Sequence, residues 1–375
     1  MALFDENVRI LPARRAPMRR SVKVGIWALA VALIALTALS FLPTGYVIQQ
    51  PGPVYNTLGT VTASDGTDVP LISVEGAETF ETSGALDLTT VQVVGNRERT
   101  PSWAELLGAW FTPSKAVIPI EAVFPDGQSS EERNQESAQM MVDSQKEATA
   151  AALTELGYDV GSKVRVYAIP ESSPATGVLE PDDVIVSAEG QPVAVVDELR
   201  AVIQERDGEP VALTIERDGA SQDVSVTPVR SADDTSWQIG VSIIHDYDFP
   251  VDVTIQLDNV GGPSAGQMFA LGIIDTLTPG ELNGGRQIAG TGTIGADGVI
   301  GPIGGIRQKL FGARDAGAEY FLAPQSNCDE VTGHVPDGLQ VFSVSTLADS
   351  LTVLDAIRGD GDLDALPTCS ALTAG

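Results

Sequence analysis

The chain has 375 residues, 19% of them charged and 43% hydrophobic, which is a globular composition with room for two or three domains. Its formal charge is −29, and the six basic residues among the first 23 leave the remainder more acidic still. A surface of that sign repels phosphate backbones at long range, so nucleic acid is not expected as a partner.

Residues 22–42 (VKVGIWALAVALIALTALSFL) form an apolar run with one charge, Lys23, at its edge. About twenty such residues span a bilayer as a helix. Arg9, Arg14, Arg15, Arg19, Arg20 and Lys23 flank it on the N-terminal side alone. The positive-inside rule then places residues 1–21 in the cytoplasm as a basic tail and everything after the span outside the cell membrane, a single-pass topology. A cleaved signal peptide competes, since Ala38, Leu39 and Ser40 offer small residues at suitable spacing, but the apolar run exceeds the usual length of a signal core.

Residues 43–160 read as an N-terminal extracytoplasmic region. It opens with a stretch punctuated by proline and glycine (YVIQQPGPVYNTLG), continues through β-branched strands such as residues 86–94, and ends in a helix. Ser129 or Ser130 caps that helix, Glu131 and Glu132 occupy its first turn, and Gly157 terminates it. Met140, Met141, Ala148, Ala152 and Leu156 lie on it at helical spacings and are expected to face a core.

Residues 163–229 form the next unit. SPATGVLEPDDVIVSAEGQPV is followed by a short helix over residues 197–204, and two strands flank the Asp218-Gly219 turn as a hairpin. This pattern resembles PDZ domains, whose fold binds an extended chain end along a sheet edge. Where their carboxylate-binding loop carries a small, apolar turn, the expected position here reads Tyr167, Ala168, Ile169, Pro170, Glu171. Selection of a substrate terminus and a mere spacer both stay open.

Residues 237–358 alternate strands (WQIGVSII, FPVDVTIQL, YFLAP) with helices, one opening at Pro263 and one over residues 306–316, and residues 359–375 are a tail. Three glycine-rich segments punctuate this α/β region: GGPSAG around Ser264, AGTG around Thr291, and GGIRQK ending at Lys309. Ser264 would stand near the positive end of an apolar helix. A serine hydroxyl needs a base, and a lysine can be one if burial lowers its pKa toward 7 or 8. Lys309 is the candidate. The chain uses 17 arginines and five lysines, with Lys309 alone after Lys163, and guanidinium could not accept the proton.

Together these segments resemble the Lon peptidase domain in the same order: GGPSAG, then GTGTIGADGVIGPIGG, then GGIRQKLFGARDAGAEYFLAP, over roughly 120 residues. The resemblance implies an α/β (α+β) protease domain, Ser264 as nucleophile, Lys309 as general base, and Thr291 as the hydroxyl that orients them. It also implies oxyanion donors in the backbone of Gly262, Pro263 and Ser264. Many Lon domains carry an acid three residues before the serine, where Gly261 stands here. No Walker-type phosphate loop occurs, so the fuller resemblance is to PDZ-containing, membrane-anchored Lon-like peptidases that work without ATP. It implies protein or peptide substrates and a homo-oligomer, such as a hexameric ring.

Neither a cofactor nor a metal is expected, because His245, His334, Cys328 and Cys369 lack zinc-site spacing. Whether the cysteines pair stays open. A histidine-based triad is a rival, though both histidines read as surface or turn residues. A catalytically silent, membrane-tethered PDZ adaptor is the rival from another class.

Overall fold

The computed structural model describes residues 19–40, 42–63, 66–125, 127, 129–231, 235–258, 260–359 and 361–369. The side chains at 35, 36, 38–40, 197 and 245 also fall outside it. The chain divides into two compact units, residues 1–50 with 93–127 and residues 51–92 with 128–375.

In the smaller unit, helix α1 (Arg20–Ser40) is the apolar run. Among the described residues no helix is long and apolar enough to cross a membrane. The expected span over 22–42 lies partly outside those residues, and so does most of the expected basic tail at 1–21. Helix α2 (Trp103–Trp110) starts at a capping box between Ser102 and Glu105. It buries Leu106 and Ala109 against Ile48. The first residues of the strand Tyr46–Asn56 pair antiparallel with Ala116–Pro119 in this unit. That strand runs through Pro51 and Pro53, where the sequence suggests broken structure. Alternate residues aim their N–H groups at one edge, so both missing donors fall on the same side and the other side keeps its own.

The larger unit is built on parallel strands in the order Gln340–Val344, Tyr320–Pro324, Gln287–Gly290 and Ala85–Val94. Residues 85–92 therefore belong to the α/β sheet and not to a separate N-terminal region. Ile72–Glu75 is drawn in likewise, pairing with Asp252–Ile255. Helix α3 (Ser130–Glu155) begins at Ser129, whose hydroxyl accepts from the Glu132 amide while the Glu132 carboxylate accepts from the Ser129 amide. Met141, Ala148 and Ala152 face the core as expected, whereas Met140 is exposed. Positions 140 and 141 lie about 100° apart on a helix, so only one can face the same layer.

The PDZ-like part uses strands Gly161–Ala168, Val184–Ala188, Val211–Arg217 and Ala220–Val226 with helix α4 (Val196–Glu205) around its own apolar core. Its sheet also takes in Ser242–Asp248, which pairs antiparallel with Gly161–Ala168. The sequence reading places that segment, with His245, in the following domain; the side chain of His245 is outside the description. His334 is half-buried just after the turn at residues 332–333.

Helix α5 (Gly266–Leu277) is mostly apolar and buried from Gly266 to Asp275, the polar Gln267 and Asp275 included, so it forms the centre of the α/β core. It starts three residues later than Pro263, because Gly262 takes a left-handed φ of 86° and residues 264–265 form a turn. Helix α6 (Ile306–Asp315) leads back to the sheet, followed by the short α7 (Cys328–Val331) and α8 (Leu347–Arg358). Cys328 and Cys369 are disulfide-bonded, which ties residues 361–369 to α7. Closing a loop of 41 residues restrains the unfolded chain by about 4 kcal/mol on the chain-entropy account.

Candidate active site

Ser264 sits in the turn ahead of α5, and its backbone is fixed on two sides. Its carbonyl oxygen accepts from the Gly292 amide at 3.0 Å and from the Thr291 hydroxyl at 2.9 Å. Gln267 returns the contact by donating its amide to Gly292 O. On the other side lies α3. Ser137 O accepts from the Gly262 amide at 2.8 Å, and the Ser144 hydroxyl donates to Pro263 O at 2.9 Å. Gly261 approaches α3 so closely that a Cβ there would meet Ser137 Oγ at 2.4 Å. An acidic side chain at 261 has no room while α3 lies where it does.

Lys309 is the fourth residue of α6, which opens on Gly305 in the left-handed region at φ 69°. That turn aims the lysine inward. Its Nζ lies 2.7 Å from Ser264 Oγ and 2.7 Å from Thr291 Oγ1. Lys309 is 2% exposed and Thr291 fully buried. Burial alone brings the Lys309 pKa down to about 7, with no charged neighbour contributing. As an ammonium it donates to both hydroxyls. As an amine it can accept from Ser264 while still donating to Thr291, whose own proton is given to Ser264 O.

The oxyanion assignment narrows. Gly262 has already given its amide to Ser137, and Pro263 has no N–H, so of the three residues named only the Ser264 amide can serve.

Ser264 and Lys309 stand at a cleft of about 430 Å³, lined also by Pro53, Tyr55, Thr89–Gln92, Met141, Val260 and Ala265 among others, with Thr291 buried behind them. A larger cleft of about 1030 Å³ shares Tyr55, Met141 and Val260 with it and runs along residues 60–63 and 255–258. Sequence reasoning missed Ser137, Ser144, Met141 and the strand residues 89–92, all of them far upstream of the motif segments. The β-branched run at 86–94 and the glycine at 261 were the available signals.

In the PDZ-like part a groove of about 310 Å³ lies between α4 (Val196, Leu199, Ile203) and the segment Ser236–Val241 with Ile243. Ile239, Gly240 and Val241 line this groove, and residues 167–171 do not. Gln204 and Trp237 bond to each other at one end, side chain to backbone in both directions.

Comparison with known proteins finds matches to two domain families. Residues 220–356 match the Lon protease (S16) C-terminal proteolytic domain, and residues 131–227 match the PDZ domain. A Lon-type proteolytic domain and a PDZ domain are thus both found in the chain. The Lon protease of Azospirillum brasilense is 32% identical over 120 residues, covering 31% of this chain and 15% of that one. Lon protease 1 of Sorangium cellulosum is 36% identical over 93 residues, covering 24% and 11%. Lon protease 2 of Bacillus subtilis (strain 168) is 32% identical over 98 residues, covering 26% and 17%. The matched part is thus less than a fifth of each of these relatives. Among solved structures, the PDZ domain of the SdrC-like protein from Listeria innocua is 22% identical and covers 22% of this chain and 92% of that one, at a TM-score of 0.21. That score is too low to bear on the fold.

Proposed function

We propose that the protein is an ATP-independent serine endopeptidase, held at the cell membrane by residues 22–42, that cleaves extracytoplasmic proteins or peptides. The observation that carries the reading is the buried amine of Lys309 at 2.7 Å from the hydroxyl of Ser264, with its pKa near 7. The Lon-type proteolytic domain supports a peptidase.

In this reading neutral Lys309 takes the Ser264 proton as Oγ bonds to the scissile carbonyl carbon. The carbonyl oxygen becomes an anion that the Ser264 amide stabilises at the mouth of α5. Lys309, now an ammonium, gives its proton to the leaving nitrogen as the C–N bond breaks and an acyl-enzyme remains. A water then gives a proton to Lys309 and attacks the ester, and Lys309 returns that proton to Ser264 as the ester bond breaks. Thr291 holds the amine in line throughout by accepting one of its protons. Substrate lies along the apolar cleft beside Tyr55, Met141 and Val260, and the groove at Ile239–Val241 admits an extended chain beside the edge strand Ser242–Asp248, which would select or gate substrates.

The test is hydrolysis of an unstructured peptide mixture by the purified full chain without nucleotide. Turnover is expected for the wild type and none for Ser264→Ala. Equal turnover in both rejects the assignment, and absence of turnover in both favours the adaptor reading.

A further inference from the structure

Helix α2 in the smaller unit buries one face and leaves the other bare. Leu106 and Ala109 pack inward, while Leu107, Trp110 and Phe111 are 51%, 68% and 85% exposed. Positions 107, 110 and 111 are three and four apart, so the three side chains form one apolar face. Two large aromatics together in water are costly unless something covers them.

The place of this face says what does. Thr44 stands four residues beyond the end of α1, and it is tied to the entry of α2: its amide donates to Thr100 Oγ1 at 3.1 Å and its hydroxyl donates to Pro101 O at 2.8 Å. Four residues reach about 14 Å at most, and α2 also touches α1. Helix α2 is therefore held beside the end of the apolar helix, at the depth where the hydrocarbon core of a bilayer gives way to headgroups. Charge agrees. Residues 93–127 carry Arg97, Arg99 and Lys115 against Glu98, Glu105, Glu121 and Asp126, nearly balanced in a chain of net −29, so this segment can approach an anionic surface that the rest of the chain would avoid.

We propose that the Leu107, Trp110 and Phe111 face of α2 lies in the lipid headgroup region of the outer leaflet, as an interfacial helix next to the span. Tryptophan suits that layer, where its apolar ring and its N–H can both be satisfied, and leucine and phenylalanine add apolar area to the same face. The inference rests on the reading of α1 as a membrane anchor.

The chain has four tryptophans, which allows the two to be tested apart. In full-length protein reconstituted into phosphatidylcholine vesicles, Trp27→Phe, Trp103→Phe and Trp237→Phe together leave Trp110 as sole reporter. A second variant, Trp103→Phe, Trp110→Phe and Trp237→Phe, leaves Trp27. Lipids brominated near the headgroup end of the acyl chain should remove about half or more of the Trp110 emission, and aqueous iodide should quench it little. Trp110 open to iodide and untouched by brominated lipid, with Trp27 quenched, overturns the inference and leaves the anchor standing. Trp110 shielded from both means a protein surface covers it, such as a second copy, and also overturns it. If neither reporter is quenched by lipid, the anchor reading falls and the inference with it. An independent measurement on the unmutated chain uses a phospholipid with a photoreactive headgroup: adducts within residues 106–111 are expected, and adducts elsewhere but not there contradict the proposal.

Discussion

Lys309 Nζ stands 2.7 Å from Oγ of Ser264, and burial alone draws its pKa to about 7. Among the described residues the pair has no acidic third member: the place where many Lon domains carry an acid holds Gly261, pressed against Ser137. The fall in pKa comes from desolvation, and in the proposed mechanism Thr291 would supply the orientation that a carboxylate supplies in many serine peptidases.

Activity should follow the titration of that amine. At saturating Lys309 protonation the base is absent, so kcat/KM for a peptide substrate is predicted to rise about tenfold per pH unit below 7 and to level off above it. A profile flat from pH 5 to 8 would be incompatible with Lys309 as the base.

The same burial makes Lys309 a burden on stability. The folded pKa of about 7 lies below the unfolded value of 10.5, so below pH 7 the amine is protonated in both states and the folded chain carries the whole penalty. Between pH 7 and 10.5 the unfolded chain binds a proton that the folded chain lacks, and stability rises with pH. Lys309→Met is therefore predicted to abolish hydrolysis yet raise Tm by several degrees at pH 6, on the order of a few kcal/mol, with the gain shrinking toward pH 10. Calorimetry across pH checks this; a Tm lower than wild type at pH 6 contradicts it.

Thr291→Val removes one oxygen that bonds both Lys309 and Ser264 O. The expected result is a kcat lower by about tenfold to a hundredfold with KM nearly unchanged, and recovery in Thr291→Ser. If Thr291→Ser is as impaired as valine, the hydroxyl is not what matters.

The role of α3 can be tested at Gly261. Gly261→Ala places a methyl 2.4 Å from Ser137 Oγ, which should displace the nucleophile turn and cost about a hundredfold in kcat/KM. Adding Ser137→Gly vacates the space and should restore most of the rate. A double variant no better than Gly261→Ala would mean that the loss has another origin.

What the sequence disclosed was local. The cap at Ser129, the reach of α6 and the strand Tyr320–Pro324 follow from nearest-neighbour chemistry, and the three glycine-rich segments pointed to the candidate site through their resemblance to the Lon peptidase domain. Hidden were the relations that only chain crossings create. No pattern within residues 85–94 says that they lie against 287–290, nor that Ser242–Asp248 joins the PDZ-like sheet. Ser137 and Ser144 look like ordinary polar positions of an exposed helix until α3 is packed on α5. The choice among the expected oxyanion donors was hidden for a similar reason: the Gly262 amide is taken by a carbonyl 125 residues earlier in the chain.

The most direct test is mass spectrometry of the intact protein after a fluorophosphonate reaction at pH 8. One adduct is predicted, located at Ser264, absent from Ser264→Ala and strongly slowed in Lys309→Met. Labelling of Ser264→Ala at the wild-type rate would contradict the account.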